Sequence, residues 1–134
     1  NSFFQNGIGS IGFCHGDFHS RNIMLDSCGS PRLVDLDCMN VCGIQNFDAL
    51  HFILEFYWSK SRNHWSLILY NTLKDHPPQD LPILLKAFSL EASYELYICY
   101  FLHRIGLEKS YYNIDCPTRM MNNIIYHAKL NPIN

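Results

Sequence analysis

The sequence is short of charge. Aspartate, glutamate, lysine and arginine make up 16% of the 134 residues, and the formal net charge is −2. No run of lysine or arginine occurs, so there is no electrostatic case for a nucleic-acid partner. Long apolar runs are missing too. The longest, around Leu96–Leu102, falls far short of the roughly 20 residues a membrane-spanning helix needs, and no membrane partner is expected. No signal-peptide pattern opens the sequence. The six cysteines, at 14, 28, 38, 42, 99 and 116, include no C-x-x-C pair, and Cys38 with Cys42 is a poor half-site for zinc. Reduced, mostly packed thiols in a cytoplasmic protein are the expectation. One G-x-G-x-x-G pattern occurs, Gly7-Ile8-Gly9-Ser10-Ile11-Gly12. It has no room for a preceding strand in this sequence, so it is not read as a phosphate loop.

What remains is an apolar chain, 48% hydrophobic, long enough to bury a core and short enough to be one domain, residues 1–134. Its chemistry is concentrated in HGDFHSRNIMLDSCGSPRLVDLD, His15 to Asp37. Asn22 to Leu25 reads as a strand, Asp26 to Pro31 has the Asp, Ser, Gly and Pro of a turn, and Arg32 to Leu36 reads as a second strand. The resulting β-hairpin places Asn22 and Asp35 near its open end. Asp17 lies five residues before Asn22, and Asp35 thirteen after it. A carboxylate, an amide and a second carboxylate are the groups needed to accept a hydroxyl proton and to hold Mg²⁺ against a nucleotide triphosphate, since hard Mg²⁺ prefers oxygen ligands.

The spacing from Asp17 to Asn22 is that of the protein-kinase template H-R-D-x-x-x-x-N. HGDFHSRN followed by LVDLD resembles the aminoglycoside phosphotransferase and choline-kinase-like superfamily. Those proteins have the protein-kinase fold, carry HGD in place of HRD, and phosphorylate hydroxyls of small molecules. The resemblance implies that Asp17 is the catalytic base and that Asn22 and Asp35 hold Mg²⁺ and ATP, with Asp37 a weaker metal candidate. It implies that His15 anchors the catalytic loop, and that His19 stands where these kinases often have His and protein kinases have Lys. Asp48 falls where the family carries an Asp that hydrogen-bonds back to the catalytic loop. Arg21 would face phosphate or an acidic substrate, or simply solvent. The family has an N-terminal lobe ahead of this motif, so the expectation is a C-terminal lobe whose N-terminal lobe is missing from the sequence. The acceptor stays open: aminoglycosides, choline, sugars and amino alcohols all fit.

Other readings stand beside this one. An Asp-Asn pair is commonly a turn or helix cap, and Asp48 in a first helical turn is stabilised by the helix dipole. His15, Asp17 and His19 alternate like zinc ligands, which would make a metal-dependent hydrolase, but no fourth ligand is evident. The chain can also be a non-catalytic nucleotide- or partner-binding remnant, a pseudokinase-like module.

The rest reads as helices, so the fold class is mainly α with one small β-hairpin, like a kinase C-terminal lobe. Asn1 to Ser10 reads as a linker or helix end, and Cys38 to Gln45 as irregular. Phe47 to Tyr57 is apolar nearly all round and therefore buried. Asn46 or Asp48 would cap it, with His51 and Glu55 a local pair. Asn63 to Leu73 is a second helix. Pro82–Phe88 and Glu91–Ile105 follow, with a break near Ser89 and a stop at Gly106. The Tyr94, Tyr97 and Tyr100 face reads as core. A loop over 111–116 and a last helix from Pro117, with Met120, Met121, Ile124, Ile125 and Ala128 on its apolar face, complete the expectation.

Overall fold

The structure, a computed structural model, describes the backbone of residues 8–112 and the side chains of residues 8–107. The helix expected from Pro117 and most of the 1–10 stretch lie outside the described residues. Within them the chain is a mix of helices and a small β region, with roughly half of its residues helical.

The β region holds two two-stranded antiparallel pairs, not one. β2 (Ile23–Leu25) and β3 (Pro31–Leu33) form the hairpin, in the register Ile23↔Leu33 and Leu25↔Pro31. Its turn is built as the composition suggests. Asp26 Oδ1 accepts the N–H groups of Cys28 and Ser30, both at 2.9 Å, and Gly29 takes φ +78°, open to a residue without Cβ. The second strand is shorter than expected, because the backbone turns at Asp35, where φ is +58°. The second pair joins β1 (Ile11–Cys14) to β4 (Asn40–Ile44), with an irregularity between Gly12 and Cys14. β4 falls in the stretch expected to be irregular. Its Asn, Cys and Gly carry little strand propensity, and it is a strand because a partner about thirty residues away pairs with it.

Four α-helices follow: α1 (Gln45–Ser61), α2 (Trp65–Leu73), α3 (Leu81–Ala87) and α4 (Tyr94–Tyr112). α1 starts earlier than expected. Its N-cap is Ile44, which has no side chain to cap with, so neither Asn46 nor Asp48 plays that part. Ser89 breaks the chain between α3 and α4 at φ +54°. α4 runs straight through Gly106, six residues past the expected stop. A mid-helix glycine costs only about 1 kcal/mol relative to alanine, and the turn before it is anchored by buried Leu96, Tyr100, Phe101 and Arg104.

The core lies between the helices. Leu50, Ile53 and Leu54 of α1 pack with Trp65 and Leu69 of α2, Leu81 and Leu85 of α3, and Leu96, Tyr100 and Phe101 of α4. Trp65 meets the Tyr100 ring edge-on, at 5.8 Å between centroids. The tyrosine face of α4 therefore goes into the core at Tyr97 and Tyr100, while Tyr94 is half-buried. The β region, by contrast, presents Ile11, Phe13, Met24, Leu25, Leu33 and Val41 to solvent, with Leu25 and Val41 each 69% exposed.

Leu50 is fully buried, so Leu50→Ala should cost about 2–5 kcal/mol of unfolding free energy. Ile83→Ala on the exposed side of α3 should stay within about 0.5 kcal/mol of the parent. Urea denaturation of both variants checks the pair.

Candidate functional site

The loop after β1 is held from below by α1. Asp48 does not spend its carboxylate on its own helix end. One oxygen accepts the Gly16 N–H at 2.9 Å, and the other accepts the N–H of His15. Two orphan loop donors are thereby satisfied by one charged group, a strong arrangement. Gly16 sits at φ +82°, and a Cβ there would lie 2.2 Å from the Cys38 carbonyl oxygen. Glycine is therefore required at the centre of His15-Gly16-Asp17 by both conformation and space.

Asp17 is the most heavily engaged side chain of the loop. Its Oδ1 accepts Arg104 Nη2 at 2.8 Å and faces His51 Nε2 at 3.2 Å. Arg104 Nη1 also donates to the Gly16 carbonyl at 3.1 Å. An ionised carboxylate can only accept, so His51 Nε2 carries the proton. His51 Nδ1 is then the acceptor, and Tyr100 donates to it over 2.6 Å. The result is a directed chain, Tyr100 to His51 to Asp17. Burial alone would push the Asp17 carboxyl up. The His51 hydrogen bond and the Arg104 guanidinium outweigh it and hold the group well below the usual carboxylate range. Burial drives His51 down to about 4, against the opposing pull of Asp17. With Oδ1 taken twice, Oδ2 is the oxygen left for another partner. Its neighbour is His19 Nε2, at 3.4 Å. Burial, partly countered by Asp17, also lowers the His19 pKa, and its Nδ1 has no partner among the described residues.

The other named residues gather around Val34. Its N–H donates to the Asn22 carbonyl at 3.0 Å, and its carbonyl accepts His15 Nε2 at 2.9 Å. Asn22 and the residue next to Val34, Asp35, are thus at one end of the hairpin, with His15 against the other side of Val34's backbone. Asn22 is buried and donates its Nδ2 to the Asp17 carbonyl at 2.9 Å, leaving Oδ1 as the amide atom with lone pairs to offer. Asp35 and Asp37 are both exposed. Asp35 holds a left-handed backbone, which aspartate tolerates better than most residues and which is common at functional sites. One carboxylate and one amide oxygen fit Mg²⁺, which takes one or two protein oxygens and completes its shell with water and phosphate.

Two expectations are corrected. His51 and Glu55 are not a local pair: His51 turns to Tyr100 and Asp17, and Glu55 lies 3.6 Å from Arg21. Longer-range partners outcompete the neighbour four residues along the helix. The zinc arrangement also fails. Among the described residues no group of three or more His, Cys, Asp or Glu is placed to hold a metal.

Arg104 escaped the sequence reading, Tyr100 was read only as a core residue, and His51 was given the wrong partner. Arg104 is 87 residues from Asp17 and belongs to no local pattern. His51 had a usable signal, since it stands three after Asp48 on one helix and shares its face. Comparison with protein-family models, with curated proteins and with solved structures returned no match.

Both perturbed groups make the fold acid-sensitive. His51 is neutral when folded, while in the unfolded chain it charges below about pH 6.5. Its share of stability is complete above that pH and falls by about 3 kcal/mol as the pH drops to 4. Asp17 adds a loss of the same sign at still lower pH. Urea unfolding between pH 7 and pH 4.5 should show the decline, and His51→Gln, which keeps a donor toward Asp17, should flatten it.

Proposed function

We propose that the protein transfers the γ-phosphate of ATP to a hydroxyl group of a small molecule, as the C-terminal lobe of a protein-kinase-like fold. The observation that carries this reading is the Asp17 carboxylate, fixed through Oδ1 by Arg104 and His51, with His19 beside Oδ2. A carboxylate of such low basicity suits orienting a hydroxyl through a hydrogen bond. Phosphoryl transfer through a loose transition state needs little more than a positioned nucleophile and neutralised charge.

Asn22 and Asp35 would hold Mg²⁺ with ATP, Asp37 lying within two residues of the second. The bound cation would supply charge neutralisation at the phosphates. His15 and Asp48 keep the loop in place. Resemblance in HGDFHSRN and LVDLD supports the reading, as does the way Val34 ties Asn22, His15 and Asp35 together. The exposed apolar face of the β region supports a covering N-terminal lobe, because apolar side chains such as Phe13, Leu25 and Val41 gain from being covered. Among the described residues five cysteines are free thiols, which favours a reducing compartment, the cytoplasm. No described helix is long and apolar enough to cross a membrane.

The test is Mg–ATP binding by the protein isolated from its source cells. Asp35→Ala should weaken Mg–ATP binding by about tenfold or more, the scale on which metal-site residues act. Asp17→Asn should leave binding largely intact and cut phosphate transfer by about 100-fold or more. Equal Mg–ATP affinity in parent and Asp35→Ala protein would contradict the proposal and favour a non-catalytic binding module.

A further inference from the structure

A cleft of about 350 Å³ opens beside the site, between the 3-10 turn Ser20–Asn22 and the C-terminal half of α1. It is reached from Asp17 through a single side chain. His19 lines the cleft on one side and stands 3.4 Å from Asp17 Oδ2 on the other. The remaining walls include Ser20, Arg21, Glu55, Trp58 and Arg62.

We infer that this cleft is the acceptor subsite, and that it takes a hydroxyl compound bearing an anionic group, a carboxylate or a phosphate. The inference rests on the phosphotransfer reading and names its substrate class. The charge balance decides the sign. Two guanidiniums line the cleft against one carboxylate, and the Asp17 charge is already answered by Arg104. Arg21 is 76% exposed at its side chain and touches Glu55 at 3.6 Å, with Glu55 itself nearly buried. Glu55 thus steadies one edge of a planar five-donor group, and the other donors remain for an acid.

Arg62 adds a second argument. It ends α1 in the left-handed conformation, φ +57°, at a position where glycine is the relaxed choice. Its cation also stands at the negative end of the helix dipole, as Lys60 does. The turn that ends α1 thus places a second guanidinium in the cleft wall, at the cost of a strained backbone. The Trp58 indole gives the acceptor a flat wall. A cationic acceptor would need Glu55 as its partner, and Arg21 occupies that carboxylate.

Trp58 also provides the readout. The protein is titrated with glycerate, inorganic phosphate, glycerol and choline at constant ionic strength while its tryptophan fluorescence is followed. Trp58→Phe leaves only buried Trp65 and removes the cleft signal. Glycerate and phosphate should saturate with dissociation constants of about 1 mM or tighter, with no saturable response to glycerol or choline. Arg21→Ala and Arg62→Ala should each weaken the anions about tenfold or more, and Arg21→Lys should recover part of the loss, having charge without the planar fork. Choline binding as tightly as glycerate, absence of anion saturation, or anion affinity unchanged in both alanine variants would overturn the inference. Mg–ATP titrated in parallel separates the two claims. Mg–ATP binding without anion binding removes the subsite alone. Anion binding without Mg–ATP binding keeps an anion site and overturns its role in phosphate transfer.

Discussion

An ionised carboxylate sits almost out of water at Asp17, whose side chain is only 14% exposed. Leaving water costs such a group several kcal/mol, and the fold must return that through partners. Opposite charges at about 4 Å attract by about 4 kcal/mol at an effective dielectric of 20, so one guanidinium at contact roughly offsets the penalty. Arg104 supplies it from α4, and His51 adds a neutral hydrogen bond from α1. The pair is therefore less a source of net stability than a constraint. With either partner gone, the carboxylate is left buried and uncompensated, a loss of about 3–5 kcal/mol. The loop, α1 and α4 must keep one mutual arrangement for Asp17 to remain charged.

Other contacts extend that constraint outward. Asp48 seats the loop backbone on α1 through His15 and Gly16. His15 passes the position on to Val34, and Val34 to Asn22. Each bond joins segments distant in sequence, and together they place Asp17, Asn22 and Asp35 relative to one another. The apolar core beneath supplies the rigidity. Leu50 and Leu54 lie on the same helix as Asp48 and His51, so packing that fixes α1 also fixes the two residues addressing the loop.

Much of the candidate site's layout was legible because its signal is local. Asp17, Asn22 and Asp35 are close in sequence, and the Asp26 turn between them announces the hairpin by composition. The helices were legible from apolar periodicity, and the break at Ser89 from its loss. What escaped depends on distance. β4 is a strand only because β1 pairs with it. Arg104 looks like any arginine on an amphipathic helix until α4 is laid against the loop. The helix end at Gly106 failed for a related reason: local propensity favours a stop there by about 1 kcal/mol, and tertiary packing of the preceding turns outweighs it.

The central claim is that Asp17 is a fixed, charged acceptor, unlike an ordinary loop aspartate. Its carboxyl carbon can be followed directly by ¹³C NMR as the pH is lowered. Asp17 should stay ionised well below the ordinary aspartate value of about 3.9, down to the pH at which the fold itself is lost. A carboxyl that titrates near or above that value in the folded protein would contradict it.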